Sequence, residues 1–189
     1  VIDALERKGR QGVKIKFVYD DIGSKKELKR RTKKRIANIE NLELCVYDPM
    51  GLVINPRINY RDHRKIVVID GKVGYMGGDN LADEYTGRKI RFGRWRDTAM
   101  RFTGDAVYSL ELLFAEIWYM SSGELIEIAD FSPDESFDGD GYVMPFGDGP
   151  TNALDPAYHL FESLIVSAEK YLYISTPYFI IDNSFINMI

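Results

Sequence analysis

The chain has 189 residues, 45% of them hydrophobic and 29% charged, which is a globular profile and excludes a disordered one. That length allows one ordinary domain or parts of two. The formal charge is −4, with an isoelectric point near 5.3, whereas a protein that grips nucleic acid by its phosphates carries a basic footprint, so no nucleic-acid partner is expected.

In chain order, residues 2–10 read as the end of a helix closed by Gly9 and Gly12, followed by a strand at 13–19. Ser24 and Glu27 form a capping box that opens a helix to about Asn38. This helix holds Lys25, Lys26, Lys29, Arg30, Arg31, Lys33, Lys34 and Arg35 against a thin apolar stripe of Leu28, Ile36, Ala37 and Ile39. It therefore reads as a solvated surface helix. Contact with anionic lipid headgroups is the sharper alternative, weakened by the lack of large apolar residues to insert. A second strand spans 42–47 and holds Cys45, the sole cysteine, as a buried and inert thiol of a reducing compartment.

A strand is expected at 63–69, a tight turn at Asp70-Gly71 and a returning strand at 73–76, because Asp-Gly between apolar runs is a strong hairpin signal. Gly77-Gly78 leads to a short helix from about Asn80. A strand at 95–102 and a helix at 105–120 follow, the helix burying Val107, Leu110, Phe114, Ile117 and Trp118. Strands alternating with helices make the fold class α/β, a mixed sheet flanked by helices. Residues 123–140, rich in Ser, Gly, Pro and acids, read as a linker between 1–122 and 141–189. Beyond it come a strand at 141–146 and a helix from the N-cap Asp155 and Pro156 to about Lys170, burying Ala157, Leu160, Phe161, Leu164, Ile165 and Ala168. A strand at 171–176 then echoes the helix-to-strand order of 2–19. No apolar run reaches the ~20 residues that span a bilayer. Both ends look cut, so a fragment of a longer protein is expected.

The chemistry concentrates in residues 63–80. On a strand His63 and Lys65 would share a face, and imidazole beside ammonium makes little sense as core but good sense around a phosphate. A neutral imidazole is a competent nucleophile, and a neighbouring ammonium favours that neutral form. Asp70 falls in the opposite phase, at the turn, and reads first as a structural residue. Gly77 and Gly78 would let backbone approach an anion. Asn80 could hold that anion or could cap the helix after it, with Asp83 completing a capping box.

The full spacing of His63, Lys65, Asp70, Gly77, Gly78 and Asn80 resembles the HKD motif of the phospholipase D superfamily. The flanks Asn59-Tyr60-Arg61-Asp62, Asp83-Glu84-Tyr85, Phe92-Gly93-Arg94-Trp95-Arg96-Asp97-Thr98 and Gly104-Asp105-Ala106-Val107 resemble bacterial cardiolipin synthases. So does Ser175-Thr176-Pro177-Tyr178-Phe179-Ile180, which looks like the opening of a second repeat. The resemblance implies a two-repeat architecture, present here in part. It implies that His63 attacks phosphatidylglycerol to give a phosphatidyl-histidine, with Lys65, Gly78 and Asn80 at the phosphate and Asp97 orienting the histidine. It places Asp70 among the motif's catalytic residues and calls for no metal and no cofactor. It also implies a second HKD half-site, which His159 cannot supply because no lysine follows two residues on. His159 reads as a solvated surface residue. The remaining expectations are an anionic phospholipid partner at a bacterial cell membrane, a cytoplasm-facing domain, and incomplete turnover by these 189 residues alone. A hydrolase of the same superfamily, a phospholipase or a nuclease, is the alternative.

Overall fold

A computed structural model describes residues 1–26, 28–49, 60–90, 93, 95–128, 142–149, 152–176, 179 and 181–189. The chain divides into two compact units, Val1–Phe146 and Gly147–Ile189.

In the first unit, α1 (Ile2–Arg10) leads through Gly12, at φ +85°, into β1 (Ile15–Asp20). Gly9 lies inside α1 and does not close it. It is buried against the Glu40 carbonyl, where a Cβ would collide, so α1 can sit tightly on the turn before β2 (Leu42–Tyr47). β1 and β2 pair in parallel, from Ile15 opposite Leu42 to Asp20 opposite Tyr47. Their crossover carries α2 (Asp21–Ser24) and α3 (Arg30–Ala37). Ser24 does not stand at the N-cap of the basic helix, where Lys29 lies instead. Ser24 ends α2, which Asp20 caps by accepting from the Gly23 amide at 2.7 Å, and Glu27 lies outside the described residues. α3 starts at Arg30 with no side-chain cap and buries Ile36, while Ile39 is buried just beyond it. Cys45 is half-buried, and burial pushes its thiol pKa up, in keeping with an unreactive sulfur.

A three-stranded antiparallel sheet follows, in the order β3 (Ile66–Ile69), β4 (Val73–Gly77), β5 (Ala99–Thr103). Asp70 at φ +53° and Gly71 at φ +63° form the two-residue turn the sequence indicated, with both central residues left-handed. One face of this sheet is covered by α4 (Ala106–Ser122), which ends on Gly123 in the left-handed conformation. Phe102, Val107 and Leu110 form the core there, ringed by Ile66, Val68, Met76 and Leu113. Gly74 admits Leu110, whose Cδ1 would lie 2.5 Å from an added Cβ. Farther along α4, Ile117 and Trp118 are buried, and the Lys16 ammonium of β1 lies 4.3 Å from the Trp118 ring centroid. α4 is thus the element on which both sheets meet. The fold class is mixed α/β, small sheets flanked by helices.

The expected helix after Gly78 is absent: residues 81–89 form turns and bends. Most of the expected linker, 129–140, lies outside the described residues, and residues 142–146 form no strand.

The second unit contains α5 (Pro156–Val166) and α6 (Asn183–Met188). Pro156 occupies the first turn of α5 as expected, but Asp155 makes no side-chain cap. Asp148 takes that part, accepting from the Ala157 amide at 3.2 Å. The helix stops at Val166, before Lys170, and its apolar face is not buried: Phe161 is 52% and Leu164 49% exposed. Residues 171–176 form no strand, so the echo of 2–19 ends with the helix. A strand needs a neighbour to take up its backbone groups, and among the described residues no strand pairs with these. His159 is on the surface, with Nδ1 3.3 Å from Glu162.

Candidate active site

His63 and Lys65 lie not within β3 but in the segment leading into it, which begins pairing only at Ile66. The backbone amides upstream are taken by carboxylates instead of a neighbouring strand. Asp62 donates its amide to Asp20 Oδ2 at 3.2 Å, and Arg64 donates its own to Asp62 Oδ1 at 3.2 Å. The strand phase nevertheless carries upstream. Ile66 and Val68 pack on the core beneath α4, and Arg64 reaches Glu116 of α4 at 2.8 Å, whereas His63, Val67 and Ile69 are exposed.

This segment is clamped on both sides of His63. Arg61 reaches Asp20 Oδ1 at 3.4 Å and also pairs with Asp48, and the side chains of Arg61 and Asp20 are only 10% and 8% exposed. Asp20 ends β1 and Asp48 follows β2, so the pair of parallel strands holds the chain just before His63 from their carboxyl ends. Arg64 is held by Asp62 at 2.9 Å as well as by Glu116. Between these clamps the His63 imidazole has no partner among the described residues and faces solvent.

Lys65 folds back so that Nζ donates to the His63 carbonyl at 2.5 Å. It is half-buried, and burial lowers its pKa, while the charges of Asp62 and Asp97 pull the other way. Asp97 is therefore close enough for its charge to act on Lys65. The entry to β5 brings it there. Gly78 donates its amide to the Thr98 carbonyl at 3.0 Å, Asp97 Oδ1 accepts from the Thr98 amide at 2.8 Å, and a Cβ on Gly78 would collide with the Asp97 carboxylate. A Cβ on Gly77 would come within 2.5 Å of the Thr98 carbonyl oxygen. These two glycines thus make room for the incoming β5 strand.

Asn80 does not cap a helix. Its Nδ2 donates to the Tyr85 hydroxyl at 2.7 Å, and the Tyr85 ring packs against Trp95 with centroids 5.0 Å apart. The Asp83 carbonyl accepts from Arg88 and Lys89 within this turn region, and no capping box forms. Asp70 sits at the far end of β3 from His63; five residues of extended chain from Lys65 correspond to about 17 Å. The fold therefore brings His63, Lys65, Gly78 and Asp97 to one end of the small sheet and puts Asp70 at the other.

Asp20, Asp48, Glu116 and Tyr85 were given no role from sequence. Their signal was the alternation of charges at 61–64 around a histidine, which calls for partners of opposite charge. Those partners lie 41 and 52 residues away and could not be assigned by spacing. Among the described residues no cluster of three or more His, Cys, Asp and Glu is arranged to hold a metal ion.

No family model matches the sequence. Among curated proteins the chain is 39% identical over 188 residues to cardiolipin synthase 2 of Bacillus cereus, a match that covers 98% of this chain and 36% of that protein. It is 40% identical over 189 residues to the cardiolipin synthase of Alkalihalophilus pseudofirmus, covering 98% and 37%. To the cardiolipin synthase of Staphylococcus aureus it is 38% identical over 191 residues, covering 100% and 38%. The chain thus spans little more than a third of the length of these relatives. A structural likeness to NucT from Helicobacter pylori, at 14% identity and a TM-score of 0.45 over 63% of this chain and 70% of that one, is too loose to build on. Over nearly its whole length the chain is homologous to one stretch of the bacterial cardiolipin synthases.

Proposed function

We propose that this chain supplies one half-site of a phosphatidyl transferase that joins two phosphatidylglycerol molecules into cardiolipin and glycerol. The observation that carries the reading is the clamped and solvent-facing His63, two residues from a half-buried Lys65 that also feels Asp97, in a chain similar to cardiolipin synthases along nearly its whole length.

A ring nitrogen of His63 attacks the phosphorus of one phosphatidylglycerol, and the bond from phosphorus to the headgroup glycerol oxygen breaks. Glycerol leaves with a proton from an acid of the second half-site, and a phosphatidyl-histidine remains. The hydroxyl of a second phosphatidylglycerol then attacks the phosphorus, loses its proton to that same group, and frees His63. Lys65 balances phosphate charge as it grows in the transition state, a contribution of about 4 kcal/mol for charges 4 Å apart near a protein surface, before desolvation costs. The Asn80 amide is assigned to the phosphate oxygens, Gly78 to leaving room beside them for the Asp97 carboxylate, and Asp97 to orienting His63. Asp70 is assigned to the turn, from which it acts on the site only through the hairpin. The second half-site is assigned to a second repeat that opens at 141–189, and the working surface to the cytoplasmic face of a bacterial membrane. Among the described residues no helix is long and apolar enough to cross a membrane.

The test is incubation of the longer protein that contains this stretch with phosphatidylglycerol. Cardiolipin and glycerol are expected, both lost in His63→Ala, and a phosphatidyl group bound to His63 should be trapped on brief exposure. Phosphatidic acid as the main product would move the assignment to a hydrolase. Full turnover by residues 1–189 alone would refute the shared-site reading.

A further inference from the structure

The first turn of α3 is built against the helix's own stability. It carries Arg30 and Arg31 and no acid, where the helix dipole favours negative charge, and no side chain caps it. Arg30 and Lys34 stand four residues apart, an arrangement in which like charges repel. At about 100° per residue, Arg30, Arg31 and Lys34 fall on the side opposite the buried Ile36, so the outward face is cationic throughout. Lys25, Lys26 and Lys29, all exposed, extend it into the preceding turn.

The other two cations of the helix are spent inside the unit. Lys33 bonds Asp21 at 2.5 Å and lies 5.1 Å from the Tyr19 ring centroid, and burial does not prevent its pKa from rising on that bond. Arg35 pairs with Asp3 and with Glu6 at 2.6 Å on α1, which pushes its pKa up and theirs down. The protein thus neutralises the cations that hold α3 in place and leaves six others without an ion-pair partner among the described residues. A local rule broken with no structural return marks a surface kept for a ligand.

We propose that the outward face of α3, with Lys25, Lys26 and Lys29, docks on an anionic phospholipid bilayer. The inference rests on the transferase reading, which needs the site to reach lipids at a membrane surface. Charge complementarity selects the occupant, and the apolar residues of the helix exclude insertion, since Ile36 and Ile39 already face inward. The net charge of −4 does not oppose this. At physiological salt, charges beyond about 8 Å are screened, so the bilayer feels the local cationic face.

The test is co-sedimentation of the 189-residue chain with phosphatidylcholine vesicles containing about a third phosphatidylglycerol, and with pure phosphatidylcholine vesicles. Binding to the first and not to the second is expected. The triple variant Arg30→Gln, Arg31→Gln, Lys34→Gln should bind at least tenfold more weakly with an unchanged or raised Tm, because repulsion is relieved. Arg35→Gln should do the reverse, keeping its binding while losing Tm. Equal binding to both vesicles, or unchanged binding by the triple variant, overturns the proposal. So does tighter binding to duplex DNA than to the anionic vesicles at the same salt. Vesicle binding by this face together with no cardiolipin formed by the longer protein refutes only the transferase assignment.

Discussion

Lys65 is the residue at which burial and charge oppose each other. Desolvation lowers its pKa, and Asp62 and Asp97 act to raise it. The sign has a consequence for pH dependence. Below its folded-state pKa the ammonium attracts phosphate, and its burial opposes folding; as pH rises through that pKa both effects fade. The alkaline loss of phosphate binding should therefore begin below the ordinary lysine range. Asp97→Asn removes one of the two carboxylates that sustain the charge, so the alkaline limb should move to lower pH, the exposure of Asp97 limiting the effect. Titration of inorganic vanadate binding against pH would show it. A limb that stays in place means that Asp97 does not act on Lys65 in solution. The pair His63 and Lys65 was legible in the sequence because their chemistry and spacing stand out locally. Asp97 was legible only through resemblance. What brings it to Lys65 is the fit of Gly77 and Gly78 against the β5 entry, and no local pattern announces that contact.

The elements explain why His63 can be held firmly although it lies outside any strand. β1 ends on Asp20, which accepts from the Gly23 amide in α2, from Arg61, and from the Asp62 amide next to His63. One carboxylate thus fastens a strand end, a helix start and the segment that carries His63. The strands at 13–19 and 42–47 and the β3–β4 hairpin were legible from apolar runs and an Asp-Gly turn, all short-range signals, whereas the parallel pairing of β1 with β2 was not. The failures share a cause: the start of α3, the absent helix after Gly78 and the late start of β3 are each decided by a side chain bonding to backbone or by a partner far along the chain. Asp20→Asn should leave Arg61 short of half its compensation in a nearly buried place and cost about 3 kcal/mol of unfolding free energy. Denaturant unfolding measures that, and a cost under about 1 kcal/mol would mean that Asp48 alone suffices. The chain has two histidines, so ring resonances report on the site directly. Those of His63 should broaden or shift in Asp20→Asn while those of His159 should not.

For the molecule as a whole, the two units differ in what they bury. Every buried hydrophobic side chain among the described residues belongs to Val1–Phe146: Ile36 and Ile39 at α3, Phe102 on β5, and Val107, Leu110, Ile117 and Trp118 on α4. The described residues of Gly147–Ile189 include none, and α5 leaves Phe161 and Leu164 about half exposed. The periodicity of α5 led to the expectation of a buried apolar face, which the structure does not show; periodicity says which side seeks a core and not whether a core is there. An eleven-residue helix is marginal in water without tertiary packing, and its apolar face supplies little of that here. Opening free energies within one chain range from near zero to the global value according to such packing. Hydrogen exchange should therefore rank the helices sharply. Amides of α4 from Leu110 to Trp118 should be the slowest in the chain, and those of α5 should exchange faster by a factor on the order of 100 or more. Equal protection of α4 and α5 would show that α5 is packed in solution against something that covers Phe161 and Leu164, and the exchange pattern of those two positions would locate the covered face.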